Sequence, residues 1–359
     1  MLEYKKNWSE AKVHYEAFWD RSYHERCGLA IPLHLEKTLP PLSQNFTIAD
    51  RYLNPQCIHE RTLHDCAQTA YLYEALPAHY MDFGTARQCE YFGCKPNYTE
   101  STVWFSPILD SADASLMNIT EAGRKRFEAH KEITAELTRL AGQKYLVAMP
   151  DNCGIIDGLA HIRGTDNLLI DMLEEPEFVH DARDKITDVW KKTQKEFFDV
   201  IRENNMGGSS HGWMHLWSPA RHVQLQCDYS VMISPGMFEE FVLPELEETA
   251  SAFEHATYHL DGIEQLRHLD MILSVKGIDN IQWTPVAGQP KTSVNIEALQ
   301  KIQRAGKGLV LVPSVDEVEF LMKNLSHRGL HLIIYGVKNE AEAAEIEKLA
   351  VKLAHSEII

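Results

Sequence analysis

The last two-thirds of the chain repeats a two-part pattern: a short apolar run of strand length, then a longer stretch with helical periodicity. "KYLVAMPD" (144–151) opens the series, and an amphipathic stretch from Asp166 to Asn204 follows, interrupted near Glu175-Pro176. "HVQLQCD" (222–228) comes next. Ser234-Pro235 then opens a helix, with serine as N-cap and proline at the first helical position, and a kink is expected at Pro244. "ATYHLDG" (256–262), "NIQWTP" (280–285), "GLVLVPS" (308–314) and "LHLIIYG" (330–336) each precede a further helical pattern. Two more strands are read upstream at "GLAIPLHL" (28–35) and "HYMDFG" (79–84), separated by a helical pattern from Ala49 to Ala75.

Eight strands, each followed by a helix, predict an α/β protein of the (β/α)8 TIM barrel class. The expected layout is one barrel domain over 1–359, with 1–27 as a helical N-terminal extension. An open doubly wound sheet is the competing architecture, but no G-x-G-x-x-G turn follows any of the strands. Length beyond a minimal barrel is assigned to the N-terminal helices, the aromatic segment "CEYFGCKPNYTESTVWF" (89–105) and a hairpin-like stretch at 207–222.

Barrel chemistry sits at the C-terminal ends of strands, so the phase of each strand selects candidates. In "ATYHLDG", Tyr258 and Leu260 form one face, while Thr257, His259 and Asp261 share the other. In "HVQLQCD", the same rule turns Gln224, Gln226 and Asp228 inward, and Cys227 reaches the pocket only if the strand end bulges. Asp228, His259 and Asp261 are therefore the candidate catalytic residues. Two carboxylates beside an imidazole call for positive charge among them, which a divalent cation supplies. The candidate metal ligands are His259, Asp261 and Cys227. A bland alternative stands beside this reading: a histidine bonded to a neighbouring strand, with Asp261 capping the next helix ahead of Gly262. His211, Trp213, Gln282, Trp283 and Tyr335 are candidates for the substrate wall. His211 and His215 have the i,i+4 spacing of a helical ligand pair, but the glycines and tryptophans around them predict a loop or hairpin.

Charge narrows the function classes. The formal net charge of −17 disfavours nucleic acid and anionic membrane surfaces as general partners. The N-terminal stretch has no apolar core of a signal peptide, and no apolar run reaches membrane-span length. Seven irregularly spaced cysteines predict a reduced, cytoplasmic protein.

Three stretches carry a resemblance: "IDGLAHIRGTDNLLIDMLEEPEFV" (156–179), "DYSVMISPGMFEEFVLPELEE" (228–248) and "YHLDGIEQLRHLD" (258–270). Their R-G-x-x-x-L-L-x-D-x-x-x-x-P-E and S-P-x-x-F-x-x-F-x-x-P patterns resemble the uroporphyrinogen decarboxylase superfamily, which implies a (β/α)8 barrel. One branch of that superfamily decarboxylates uroporphyrinogen and carries an arginine-containing motif like R-Q-A-G-R-Y-L-P-E-Y. The corresponding region here reads "YHERCGLAIPLHLEK" (23–37) and lacks it.

The other branch transfers methyl groups to a corrinoid with the help of zinc, held by a His-x-Cys pair and a later cysteine. The matching positions are His259 and Asp261, and no cysteine follows Cys227. The resemblance thus implies Zn²⁺ in an oxygen-rich site, suited to an alcohol or ether oxygen such as that of a methoxylated compound. It also implies cobalamin on a separate partner protein, because the chain has no D-x-H-x-x-G signature. The expected partners are a small-molecule substrate and that corrinoid protein, with a homodimer as the candidate oligomer. Two alternatives remain: a metal-independent decarboxylase or lyase using arginines such as Arg87, Arg163 or Arg221, and a non-catalytic small-molecule binder.

Overall fold

The computed structural model describes residues 2–22, 24–42 and 46–358. Met1 and Tyr23, within the expected N-terminal extension, and Ile359 lie outside the described residues. The chain is a mixed α/β fold built on a parallel sheet. Its strands are β1 (Gly28–His34), β2 (Thr69–Tyr73), β3 (Ala78–Tyr80), β4 (Lys95–Tyr98), β5 (Val103–Ser106), β6 (Leu146–Ala148), β7 (Ser209–His211), β8 (Leu216–Ser218), β9 (His222–Leu225), β10 (His255–Asp261), β11 (Asn280–Thr284), β12 (Gly308–Leu311) and β13 (Leu330–Ile333).

All eight strands read from the sequence are present, and all except β10 are shorter than expected. Six of them form one parallel ladder in the order β9-β10-β11-β12-β13-β1, and β2 closes its edge antiparallel to β1. β3 and β6 pair with each other in a separate parallel ladder. Among the described residues the hydrogen-bonded strands therefore make a seven-stranded sheet and smaller pairs, not one continuous eight-strand ring. Side chains bridge the gap between β6 and β9: Asn152 Nδ2 donates to Gln224 O at 3.0 Å, and Gln194 Nε2 donates to Asn152 Oδ1 at 2.9 Å.

β2 was not legible in the sequence. The helical pattern expected from Ala49 to Ala75 resolves into helices Asp50–Leu53 and Pro55–Ala67, and then this strand. Asn54 ends the first helix in extended backbone, and its side chain caps the second by accepting from Gln56 N and Cys57 N. The other helix signals hold. Thr165–Glu174 and Pro176–Ile201 divide at Glu175-Pro176, and Ser234 Oγ accepts from Met237 N at 3.2 Å. Near Pro244 the helix reorganises: a π-type turn at Phe238–Val242 precedes a new segment, Leu243–Ser251, with Pro244 in its first turn, where its missing N–H costs no bond. The stretch at 207–222 contains the β7–β8 hairpin.

Alternation along the strands separates two apolar cores. Val223, Leu225, Tyr258, Leu260, Ile281, Trp283, Leu309 and Leu311 pack in the larger cluster, with the helices. Ala30, Leu146, Val310 and Ile333, on the opposite phase, share a second cluster with Ala11, Tyr15, Phe18 and Trp19 of helix Trp8–Asp20. The N-terminal extension is therefore part of the inner core. Trp19 Nε1 donates to Trp217 O at 2.9 Å, and Tyr15 Oη donates to His215 O at 3.0 Å. A buried ion pair, Arg26–Glu74 at 2.7 Å, lies beside this core, and Glu74 also accepts Leu29 N at 2.6 Å.

Candidate metal centre

β10 carries His259 and Asp261 two residues apart, so the pleat sends both to one face while Tyr258 and Leu260 enter the outer core. Both are half-buried. Asp228 arrives by another route. β9 ends at Leu225, and Asp228 opens the 3₁₀ turn Asp228–Met232 that follows. That turn is fixed by Asp157, whose buried carboxylate accepts Asp228 N at 3.1 Å, Tyr229 N at 2.8 Å and Gly154 N at 3.0 Å. The approach requires glycine at 154, since a Cβ there would lie 2.0 Å from Gln226 O.

The outcome is convergence. One donor atom from each of Asp228, His259 and Asp261 lies within 4.8 Å of the other two. Two ligand bonds of about 2.0–2.2 Å placed end to end span about 4.4 Å, so this spacing is close to that of ligands sharing one ion. The remaining polar contacts suit that use. His259 Nδ1 is bonded to Gln282 Oε1, and its Nε2 bonds nothing among the described residues. Asp261 makes no side-chain hydrogen bond or ion pair among them, unlike the helix cap of the bland alternative. Asp228 Oδ2 accepts Gln226 Nε2 at 2.9 Å, and Gln226 Oε1 accepts Gln224 Nε2 in turn.

Electrostatics give the same picture. The Asp228 residue opens to solvent, yet protein crowds its carboxyl group. That burial, followed by repulsion from Asp157 and Asp261, pushes its pKa up to about 8. Burial also lowers the pKa of His259, so the imidazole is neutral, as a ligand must be. A cleft of about 240 Å³ adjoins the group, lined by Asp157, His161, Asp228, Tyr229 and others, with no lysine or arginine among the described residues.

The other sequence candidates divide. The Trp213 ring meets the His259 ring nearly edge-on, at 78° with centroids 5.3 Å apart, so it walls the group. Gln282 is wholly buried and engaged with His259. Trp283 points the opposite way, into the outer core. His211 is buried against His222, its Nε2 bonded to His222 O at 3.2 Å. His215 accepts Leu76 N at 3.1 Å through Nδ1, so the two histidines form no ligand pair. Tyr335 is half-exposed, with its ring 6.2 Å from that of His215. Cys227 is fully buried in the outer core and lies outside the converging group; burial pushes its thiol well above the usual range. Asp157 and Gln226 complete the setting; strand phase had turned Gln226 inward with Asp228, but Asp157 was not singled out from the sequence. The local signal for Asp157 was its place three residues after a glycine at a helix start, which does not say which backbone it will clamp.

Comparison with protein-family models gives no match, and comparison with curated proteins gives none. Among solved structures, the chain is similar to a methyltransferase from Methanosarcina mazei, with a TM-score of 0.62 and 12% identity. The likeness covers 96% of this chain and 98% of that one. At this identity it shows a shared fold over nearly the whole of both chains.

Proposed function

We propose that this chain is a metal-dependent methyltransferase that takes a methyl group from a small methoxylated substrate and passes it to a corrinoid on a partner protein. The observation carrying the proposal is the convergence of Asp228, His259 and Asp261 within 4.8 Å at strand ends. The fold shared with a methyltransferase and the sequence resemblance to the uroporphyrinogen decarboxylase superfamily support it. The same reading takes residues 1–359 as one (β/α)8 barrel domain, supported by the inner cluster in which β1, β6, β12 and β13 all take part.

In this reading His259, Asp261 and Asp228 hold the ion, and Cys227 is a packing residue. One imidazole and two carboxylates suit zinc in an oxygen-rich setting. When bound, zinc supplies Lewis acidity toward the ether oxygen of the substrate. Asp228 would be ionised when a cation is held, and the cation's charge would offset its repulsion with Asp261. Trp213 restricts water beside His259, and the cleft next to Asp228 receives the body of the substrate.

The arginines required by a decarboxylase do not gather here. Arg163 is paired with Asp171 at 2.7 Å and Arg221 with Glu254 at 2.7 Å, while Arg87 is buried over the Phe197 ring. A passive binder would leave His259 and Asp261 satisfied by protein, and Asp261 has no such partner among the described residues.

The test is the metal content of anaerobically purified protein beside His259→Ala, by plasma mass spectrometry. About one zinc per chain, lost in the variant, supports the reading and justifies assays with methoxylated compounds and a reduced corrinoid protein. A metal-free wild type that takes up no added zinc overturns it.

A further inference from the structure

We infer that Gln282 is a positioning residue that fixes the metal-binding tautomer of His259, an inference that rests on the metal reading above. The parallel register of β10 and β11 sets His259 directly beside Gln282. The Gln282 side chain is wholly buried, and its contacts determine which way its amide faces. One end lies 3.1 Å from Trp283 O and 2.6 Å from Thr284 Oγ1. A backbone carbonyl only accepts, so that end is the NH₂ group, and both its hydrogens are engaged. The other end is therefore Oε1, and it faces His259 Nδ1.

An amide oxygen only accepts as well. Nδ1 must carry the hydrogen, which leaves the lone pair on Nε2. This is the state in which an imidazole ligates a metal, and an acceptor behind the second nitrogen is the usual means of holding it. Gln282 thus has no hydrogen to spare for a substrate. Its neutrality also matters. Two carboxylates already balance a divalent ion, and a third anion behind the imidazole would make the ligand more basic and the ion a weaker Lewis acid.

The experiment has two independent readouts. In metal-free protein labelled with ¹⁵N-histidine, NMR reports which His259 nitrogen carries hydrogen, assigned by the signal lost in His259→Ala. Wild type is expected to show Nδ1–H, and Gln282→Leu a mixture or Nε2–H. Zinc affinity, measured by competition with a chromophoric chelator, is expected to fall about 10–100-fold in Gln282→Leu and to equal or exceed wild type in Gln282→Glu. Thr284→Val removes one of the two anchors and serves if Gln282→Leu does not fold; it is expected to weaken zinc binding several-fold. Nε2–H in the wild type, or zinc affinity unchanged in both the Leu and Val variants, overturns the inference. A wild type that shows Nδ1–H but binds no zinc sinks the metal reading instead and removes Gln282's role with it.

Discussion

The carboxylate of Asp157 accepts the backbone N–H of Asp228 at 3.1 Å, so a buried acid sets the position of a solvent-facing one. The clamp joins the start of helix Ile155–Arg163 to the turn after β9. Its three backbone donors would each lose a partner in Asp157→Ala, and an unsatisfied buried donor costs about 1–3 kcal/mol. Removing the charge also relieves Asp228 of a repulsion, which limits the net loss. Asp157→Ala is expected to lower stability by about 2–4 kcal/mol and to weaken zinc binding more than tenfold. Denaturant unfolding and chelator competition measure the two effects, and unchanged zinc affinity would remove the clamp from the account of the site.

Gly154 makes a sharper steric test. Its backbone conformation, φ −63° and ψ 168°, is open to any residue, so the cost of Gly154→Ala comes from contact alone. The added Cβ would press on Gln226 O and displace the strand end that leads to Asp228. A loss of about 2–3 kcal/mol is expected, as for overpacking. Gly236→Ala, whose Cβ would meet nothing nearer than 3.9 Å, is the control and should leave the melting temperature nearly unchanged.

Four buried histidines each contribute stability that acid removes. Burial holds His14, His211 and His331 down to about 4 and His215 to about 3, against about 6.5 in the unfolded chain. Between these values the unfolded chain binds protons that the folded chain refuses. The histidines' share of the stability is therefore complete above about pH 6.5 and is lost progressively as pH falls toward 4, while carboxyl groups that burial holds high, Asp228 at about 8, Glu90 at about 7 and Asp151 at about 6, contribute in the opposite sense. Urea midpoints from pH 8 to pH 4.5, compared between the wild type and His215→Gln, check this: the variant should lose less stability on acidification. Equal slopes in the wild type and the variant would show that His215 ionises freely in the folded protein.

The cleft beside Asp228 should discriminate by charge. It presents Asp157 and Asp228 and, among the described residues, no lysine or arginine. A neutral aromatic methyl ether is expected to bind at least tenfold more tightly than the same ring bearing a carboxylate, measured by calorimetry on zinc-loaded protein. Preference for the acid would favour the decarboxylase reading.

Period and phase determined much of this protein from sequence alone. Apolar runs alternating with amphipathic stretches gave eight strands in nearly their true places, because each must bury one face under helices. The two-residue repeat of β10 put His259 and Asp261 on one side and Tyr258 and Leu260 on the other, a consequence of the pleat that needs no knowledge of the rest of the fold. Tertiary structure decided the remainder. β2 looked helical because antiparallel pairing with β1, not local pattern, makes it a strand. The side chain of Trp283 belongs to the outer core and that of Gln282 to His259, a distinction that depends on the register between β10 and β11. Asp228 reaches the site on a turn held by Asp157, 71 residues away in sequence, and no local pattern encodes a hydrogen bond across that distance.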